Sequence, residues 1–112
     1  MNLNGISRGD FEFGELISKI ETILSEIKMP TMMISHARLS EAQIHLMRMR
    51  VLIKWWTGFE AVIGCLDSIS SIIEKLLSSN MLNIKVENGT KQNLMELYNN
   101  MRVEIEEAYA HT

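Results

Sequence analysis

Between Ile44 and Trp56 almost every residue is apolar, and this segment constrains the fold more than any other feature of the chain. Stepping residues at about 100° around a helix axis puts Gln43, Arg50, Lys54 and Thr57 on one narrow polar face. Ile44, Leu46, Met47, Met49, Val51, Leu52, Ile53, Trp55 and Trp56 take up the rest of the circumference. One neighbouring helix covers only part of so wide an arc, so the segment must sit centrally in a fold or be buried against another chain.

A strong start signal precedes it. Ser40-Glu41-Ala42-Gln43 reads as a capping box, with Leu39 and Ile44 placed to close a hydrophobic staple. Downstream, Val51, Trp55, Phe59, Val62, Leu66, Ile69 and Ile73 form one apolar line that crosses Gly58 without a phase slip, while Glu60, Asp67 and Glu74 lie opposite. That continuity predicts a central helix over about 40–79, roughly 60 Å long if straight. Gly58 argues for a kink or a turn, since glycine costs about 1 kcal/mol inside a helix and Thr57-Gly58-Phe59-Glu60 is itself a second capping-box pattern.

Two amphipathic segments flank this element. After Asp10, a candidate N-cap, the residues Phe13, Leu16, Ile17, Ile20, Leu24 and Ile27 recur at three- and four-residue steps, giving a helix over about 10–28. Met29-Pro30 ends it, because proline disfavours helical geometry in the residue before it and donates no amide. Residues 31–39 read as a connection. Ser78-Ser79-Asn80 stops the central element, and Leu82, Ile84 and Val86 then alternate with polar residues in a short extended piece that leads to an Asn88-Gly89 turn. With no partner strand legible, that piece is not expected to form a sheet. Thr90 is the expected cap of a last helix over about 90–110, with Leu94, Leu97, Tyr98, Met101, Ile105, Ala108 and Tyr109 along its apolar side. The expected fold is all-α: a small helical bundle in which a long or kinked central helix is flanked by two others, forming a single domain over residues 1–112. With 112 residues, 46% apolar and a net charge of −3, the chain can bury a modest core without staples.

No arrangement of residues points to catalysis. Cys65, the one cysteine, has no partner for an internal disulfide and sits among apolar neighbours, where a thiol acts as a small hydrophobe. His36, His45 and His111 are scattered. Glu41 and His45, one turn apart, would supply only two ligands to a metal. Met29, Met32 and Met33 cluster before His36 and could in principle offer soft thioethers to Cu(I), but an adaptable apolar surface is the simpler use of nine methionines. Neither a cofactor nor a metal is expected. The Asn88-Gly89-Thr90 triplet matches a glycosylation sequon that an intracellular chain would not use. Residues 1–10 lack the basic start and continuous apolar stretch of an export signal, and the most apolar window, residues 51–69, contains Lys54, Glu60 and Asp67. A cytoplasmic protein without a membrane span is therefore expected.

Charge is uneven. Residues 1–57 hold seven basic and six acidic groups and residues 58–112 hold four and eight, so the halves stand at +1 and −4. The local basic set is Arg38, Arg48, Arg50 and Lys54, close to Trp55 and Trp56, a pattern that a nucleic-acid-binding regulator could use through segment 48–56. The acidic segment after Gly58 does not suit a recognition helix. Arg48 projects from the apolar arc and should be paired with a carboxylate, with Glu60, Asp67 and Glu74 as candidates in the same or another subunit.

Trp56-Thr57-Gly58, near the midpoint, resembles the central motif of the W-x-G helical-hairpin family of small secreted dimeric proteins. The resemblance covers three residues and implies that Trp56 and Gly58 mark a hairpin bend. Pro30, the separate first helix and the structured last segment depart from a simple two-helix hairpin. The leading expectation is a non-catalytic helical protein-interaction module, a small adaptor, chaperone or regulator that binds protein partners and forms a homodimer. Its expected interface comprises Met47, Met49, Leu52, Ile53, Trp55 and Trp56.

Overall fold

The structure is a computed structural model that describes residues 8–111. Residues 1–7, most of the stretch in which no export signal is legible, and residue 112 lie outside the described part. The described residues form α1 (Arg8–Ser25), β1 (Met33–Ser35), α2 (His36–Ile53), α3 (Glu60–Leu77), β2 (Asn83–Lys85) and α4 (Asn88–Ala110).

The four helices run up, down, up and down, so that sequence neighbours are antiparallel. Cross-links along the helices fix these directions. Arg38 near the start of α2 bonds Glu26 just beyond α1, and Gln43 and Arg50 of α2 reach Ser70 and Asp67 of α3 in descending order. Between the first and last helices, Asp10 meets Tyr109, Glu21 meets Tyr98, and the Lys91 ammonium donates to the Ile27 carbonyl. The described body measures 46 × 21 × 21 Å, about the length of its longest helix plus a cap at either end.

The apolar periodicities of α1, α3 and α4 translate directly into core faces. Phe13, Leu16, Ile17, Ile20, Ile23 and Leu24 are buried from α1, Val62, Leu66, Ile69 and Ile73 from α3, and Leu94, Tyr98, Met101, Ile105 and Ala108 from α4. These residues belong to one buried cluster that also takes Leu39, Ala42, Leu46, Met49 and Ile53 from α2.

The middle of the chain departs from expectation in three ways, the first within the helix expected over 40–79. That helix divides at residues 54–59, where Gly58 takes a φ of +87°, a left-handed conformation that is costly for any residue bearing a Cβ. The division lets α3 fold back on α2, which buries the Phe59 to Ile73 half of the apolar line and leaves Val51 and Trp55 at 74% and 84% exposure. A straight helix would have left most of that line in water. The second departure is at the start of α2. Helix begins at His36, because Ser35 is extended (φ −68°, ψ 148°) and its hydroxyl accepts the Arg38 amide at 3.1 Å. Ser40, the expected cap, already lies within the helix and faces the His36 ring at 3.4 Å.

The third departure explains the second. Residues 33–35 pair antiparallel with residues 83–85, in the register Met33↔Lys85, Ile34↔Ile84 and Ser35↔Asn83. The extended piece near Ile84 therefore has a partner, inside the stretch expected to be a connection. The ribbon is extended by bonds from the His36 amide to the Leu82 carbonyl and from the Val86 amide to the Met32 carbonyl, and it buries Met32, Ile34, Ile84 and Val86. At the last helix, α4 opens at Asn88 with the Glu87 backbone in the N-cap position and no side-chain cap bond, so Thr90 is not the cap.

Candidate protein-interaction surface

The ribbon closes one end of the bundle and an aromatic cluster closes the other. Phe13 and Phe59, both buried, stand edge to face with each other at 6.1 Å and with Trp56 at 5.5 and 5.2 Å, and Tyr109 meets Phe59 at 5.3 Å. This cluster anchors the α2–α3 bend. Trp56 and Gly58 both stand in that bend, the position the W-x-G resemblance implies.

With the bend held in place, α2 presents two apolar faces and its own chain covers only one. Leu39, Ala42, Leu46, Met49 and Ile53 point inward. Ile44, Met47 and Val51 form a stripe along the outer face, continued by Trp55 just past the end of the helix, with exposures of 50%, 61%, 74% and 84%. Alongside it runs a shallow groove of about 480 Å³ lined by Glu12, Ile44, Met47, Arg48, Val51 and Leu52.

The six residues expected at the interface are thereby separated. Met47 and Trp55 lie on the exposed stripe, Leu52 is half-buried at its edge, and Trp56 is half-buried in the aromatic cluster. Met49 and Ile53 are fully buried in the core. Ile44 and Val51 belong to the stripe and were not singled out by sequence reasoning, although helical phase alone puts them in line with Met47 and Trp55. What the sequence lacked was a way to tell which of two apolar faces turns outward.

Charged groups frame the stripe. Arg50 holds Asp67 through two hydrogen bonds of 2.8 and 3.2 Å, which raises its already high pKa. Asp67, one carboxylate considered for Arg48, is thus taken by Arg50. Arg48 is exposed at the groove and makes no ion pair among the described residues. At the start of α2, Arg38 binds Glu26 at 2.7 Å and Glu41 at 2.5 Å. The hydrogen bond from Arg38 holds the Glu26 carboxyl below its usual range. At the other end the Lys54 ammonium sits 5.1 Å from the Trp55 ring centroid.

The residues weighed for other chemistry do not converge. His45 is buried, its Nε2 standing 3.5 Å from a Glu41 oxygen without hydrogen-bonding alignment. Among the described residues no group of three or more His, Cys, Asp or Glu could hold a metal. Met32 is buried while Met29 and Met33 are exposed, so the three thioethers do not share one face. Burial, reinforced by the Glu104 charge, pushes the Cys65 thiol up and away from thiolate chemistry. In segment 48–56, Trp56 is committed to the aromatic cluster and Arg50 to Asp67, which leaves Arg48, Lys54 and Trp55 facing solvent. No helix among the described residues is long and apolar enough to cross a membrane. No protein-family model matches this chain, and neither a curated protein nor a solved structure matches it.

Proposed function

We propose that this chain is a non-catalytic protein-interaction module, an adaptor, chaperone or regulator that acts as a dimer in the cytoplasm and binds through the outer face of α2. The observation that carries this reading is the stripe of Ile44, Met47, Val51 and Trp55, which no element of the described chain covers. Its apolar area is on the order of 500 Å², near the upper end of what soluble monomers leave open. Withdrawing it from water is worth roughly 10 kcal/mol before the costs of association, which are themselves of order 4–15 kcal/mol. The stripe therefore favours a partner that brings a similar apolar face of its own.

Light scattering and sedimentation on the purified chain, with Val51→Asp alongside, test the reading. The native chain should associate at micromolar concentration, and Val51→Asp should remain monomeric with an unchanged helical circular dichroism spectrum. The reading fails if the native chain is a stable monomer and also captures no protein that Val51→Asp loses.

A second reading is favoured by one observation, the placement of Trp56 and Gly58 at the α2–α3 bend. It makes the chain a small secreted protein similar to the W-x-G helical hairpins, with α1 and α4 added. Recovery of the native chain from the medium of intact source cells supports it, and retention inside those cells removes it.

A further inference from the structure

We propose that β2 takes up an extended peptide as a third strand of the ribbon, along the edge turned away from β1. The contact lies at the end of the bundle that the ribbon closes, apart from the α2 stripe, and gives the chain a second docking place.

The register shows which backbone groups are free. The Val86 amide bonds the Met32 carbonyl, the His36 amide bonds the Leu82 carbonyl, and Ile34 stands opposite Ile84. Bonded pairs therefore fall at Met32, Ile34 and His36 against Val86, Ile84 and Leu82, and the amides and carbonyls of the residues between them point away from the ribbon. On β2 these residues are Asn83 and Lys85, both exposed and both without a backbone partner among the described residues. Two N–H and two C=O groups repeating at about 6.8 Å match the backbone of another strand, and this match names the occupant. The corresponding edge of β1 is less open, because Ser35 is half-buried, its hydroxyl caps α2, and helix begins at the next residue.

Side chains define the peptide further. A residue paired with Ile84 lies on the same face as that buried side chain and should be apolar and β-branched. Residues paired with Asn83 and Lys85 lie on the opposite face. Lys85 has no ion pair among the described residues, so the residue beside it should be acidic. Met81 and Leu82, just before the strand, are exposed and offer an apolar contact beyond Asn83. Antiparallel pairing, the more stable of the two, then reads acidic, apolar, polar, apolar along the peptide. The free edge groups already bond water, so the backbone sets the geometry and these side chains supply most of the affinity.

The probe is the acetylated and amidated peptide Thr-Asp-Val-Thr-Leu-Thr, titrated to about 1 mM, a range suited to so small a contact, into the native chain and into Val51→Asp. In both, the amide resonances of Asn83 and Lys85 should shift, and their hydrogen exchange should slow about threefold. Methylating the amide of the central Thr, which donates to the Asn83 carbonyl, should weaken binding about tenfold, whereas methylating that of Val, which points away from β2, should not. Equal losses from the two methylations would mean that the peptide is not held as a strand. A response at Met33 and Ser35 instead would put it on the other edge, and loss of binding in Val51→Asp would put it on the α2 stripe. Exchange at Asn83 and Lys85 that slows with the concentration of the chain alone would make a second copy the occupant. Each of these results, or no response at the highest peptide concentration, overturns the proposal, and association through α2 is decided separately by sedimentation.

Discussion

Replacing Gly58 by alanine separates a bend from a continuous helix by the sign of a stability change. Gly58 has a φ of +87°, and a Cβ built there meets nothing within 4 Å. No steric clash therefore contributes, and the cost is that of holding a residue with a Cβ in the left-handed region, about 1–2 kcal/mol. Alanine also stiffens the unfolded chain, which returns about 0.4–1 kcal/mol. The net expectation is a loss of roughly 1 kcal/mol. Gly64 provides the internal control, because it is exposed within α3, has no left-handed φ and likewise has open space around the position of a Cβ. There the same substitution should gain about 0.8–1 kcal/mol from helix propensity. Urea unfolding at one fixed protein concentration should place the two variants on opposite sides of the native chain, separated by about 2 kcal/mol, or by roughly 10 °C in a thermal scan. Gly58→Asn should lose less than Gly58→Ala, since asparagine tolerates the left-handed region. If Gly58→Ala stabilises the chain as Gly64→Ala does, residue 58 lies inside a helix and the bend is refuted.

Aspartate at two positions two residues apart in α2 should have different consequences. Val51→Asp changes an exposed residue and should abolish association while leaving the helical spectrum intact, whereas Ile53→Asp buries a charge in the core and should unfold the chain; equal effects would contradict the two-faced reading of α2. The Glu26 carboxyl is held below its usual range by Arg38, so it contributes stability above the ordinary glutamate range and loses it as pH falls through the lowered value. Arg38→Met should accordingly flatten the decline in unfolding midpoint between about pH 5 and pH 3, by a small amount because both side chains are substantially exposed. Burial pushes the phenols of Tyr98 and Tyr109 up, and in Tyr109 the hydrogen bond to Asp10 at 2.7 Å adds to the shift. That stability is fully present below about pH 10 and is lost as pH rises beyond it, so absorbance at about 295 nm should show no phenolate midpoint near the ordinary value while the chain is folded.

The sequence by itself determined that the fold is all-α and, for three of the helices, which side is buried. In α1, α3 and α4 the apolar residues fall on one side, and burial of that side is the only arrangement that keeps it from water. Pro30 bars any helix from running through it, since the proline ring forbids the helical hydrogen bond wherever it sits, but α1 already stops at Ser25, short of the end expected near residue 28. Tertiary structure decided the rest, and in each case two local solutions of similar energy were separated by a distant contact. For α2, both faces are apolar, and only the positions of α1 and α3 select Met49 and Ile53 for the core and Met47 and Val51 for the surface. The same folding back chose Arg50 over Arg48 as the partner of Asp67, because Arg50 lies on the flank of α2 that turns toward α3. At Gly58 a helix interior and a turn differ locally by only about 1 kcal/mol, and although the expected Thr57 capping box does not form, since Phe59 stands at the N-cap with no side-chain cap bond, the burial gained by closing the hairpin outweighs the preference for continuity. Ser35 displaced Ser40 as the cap because the pairing of residues 33–35 with residues 83–85, some fifty positions away, holds Ser35 extended. Periodicity records how a segment meets water, and it carries no record of which distant segment will cover it.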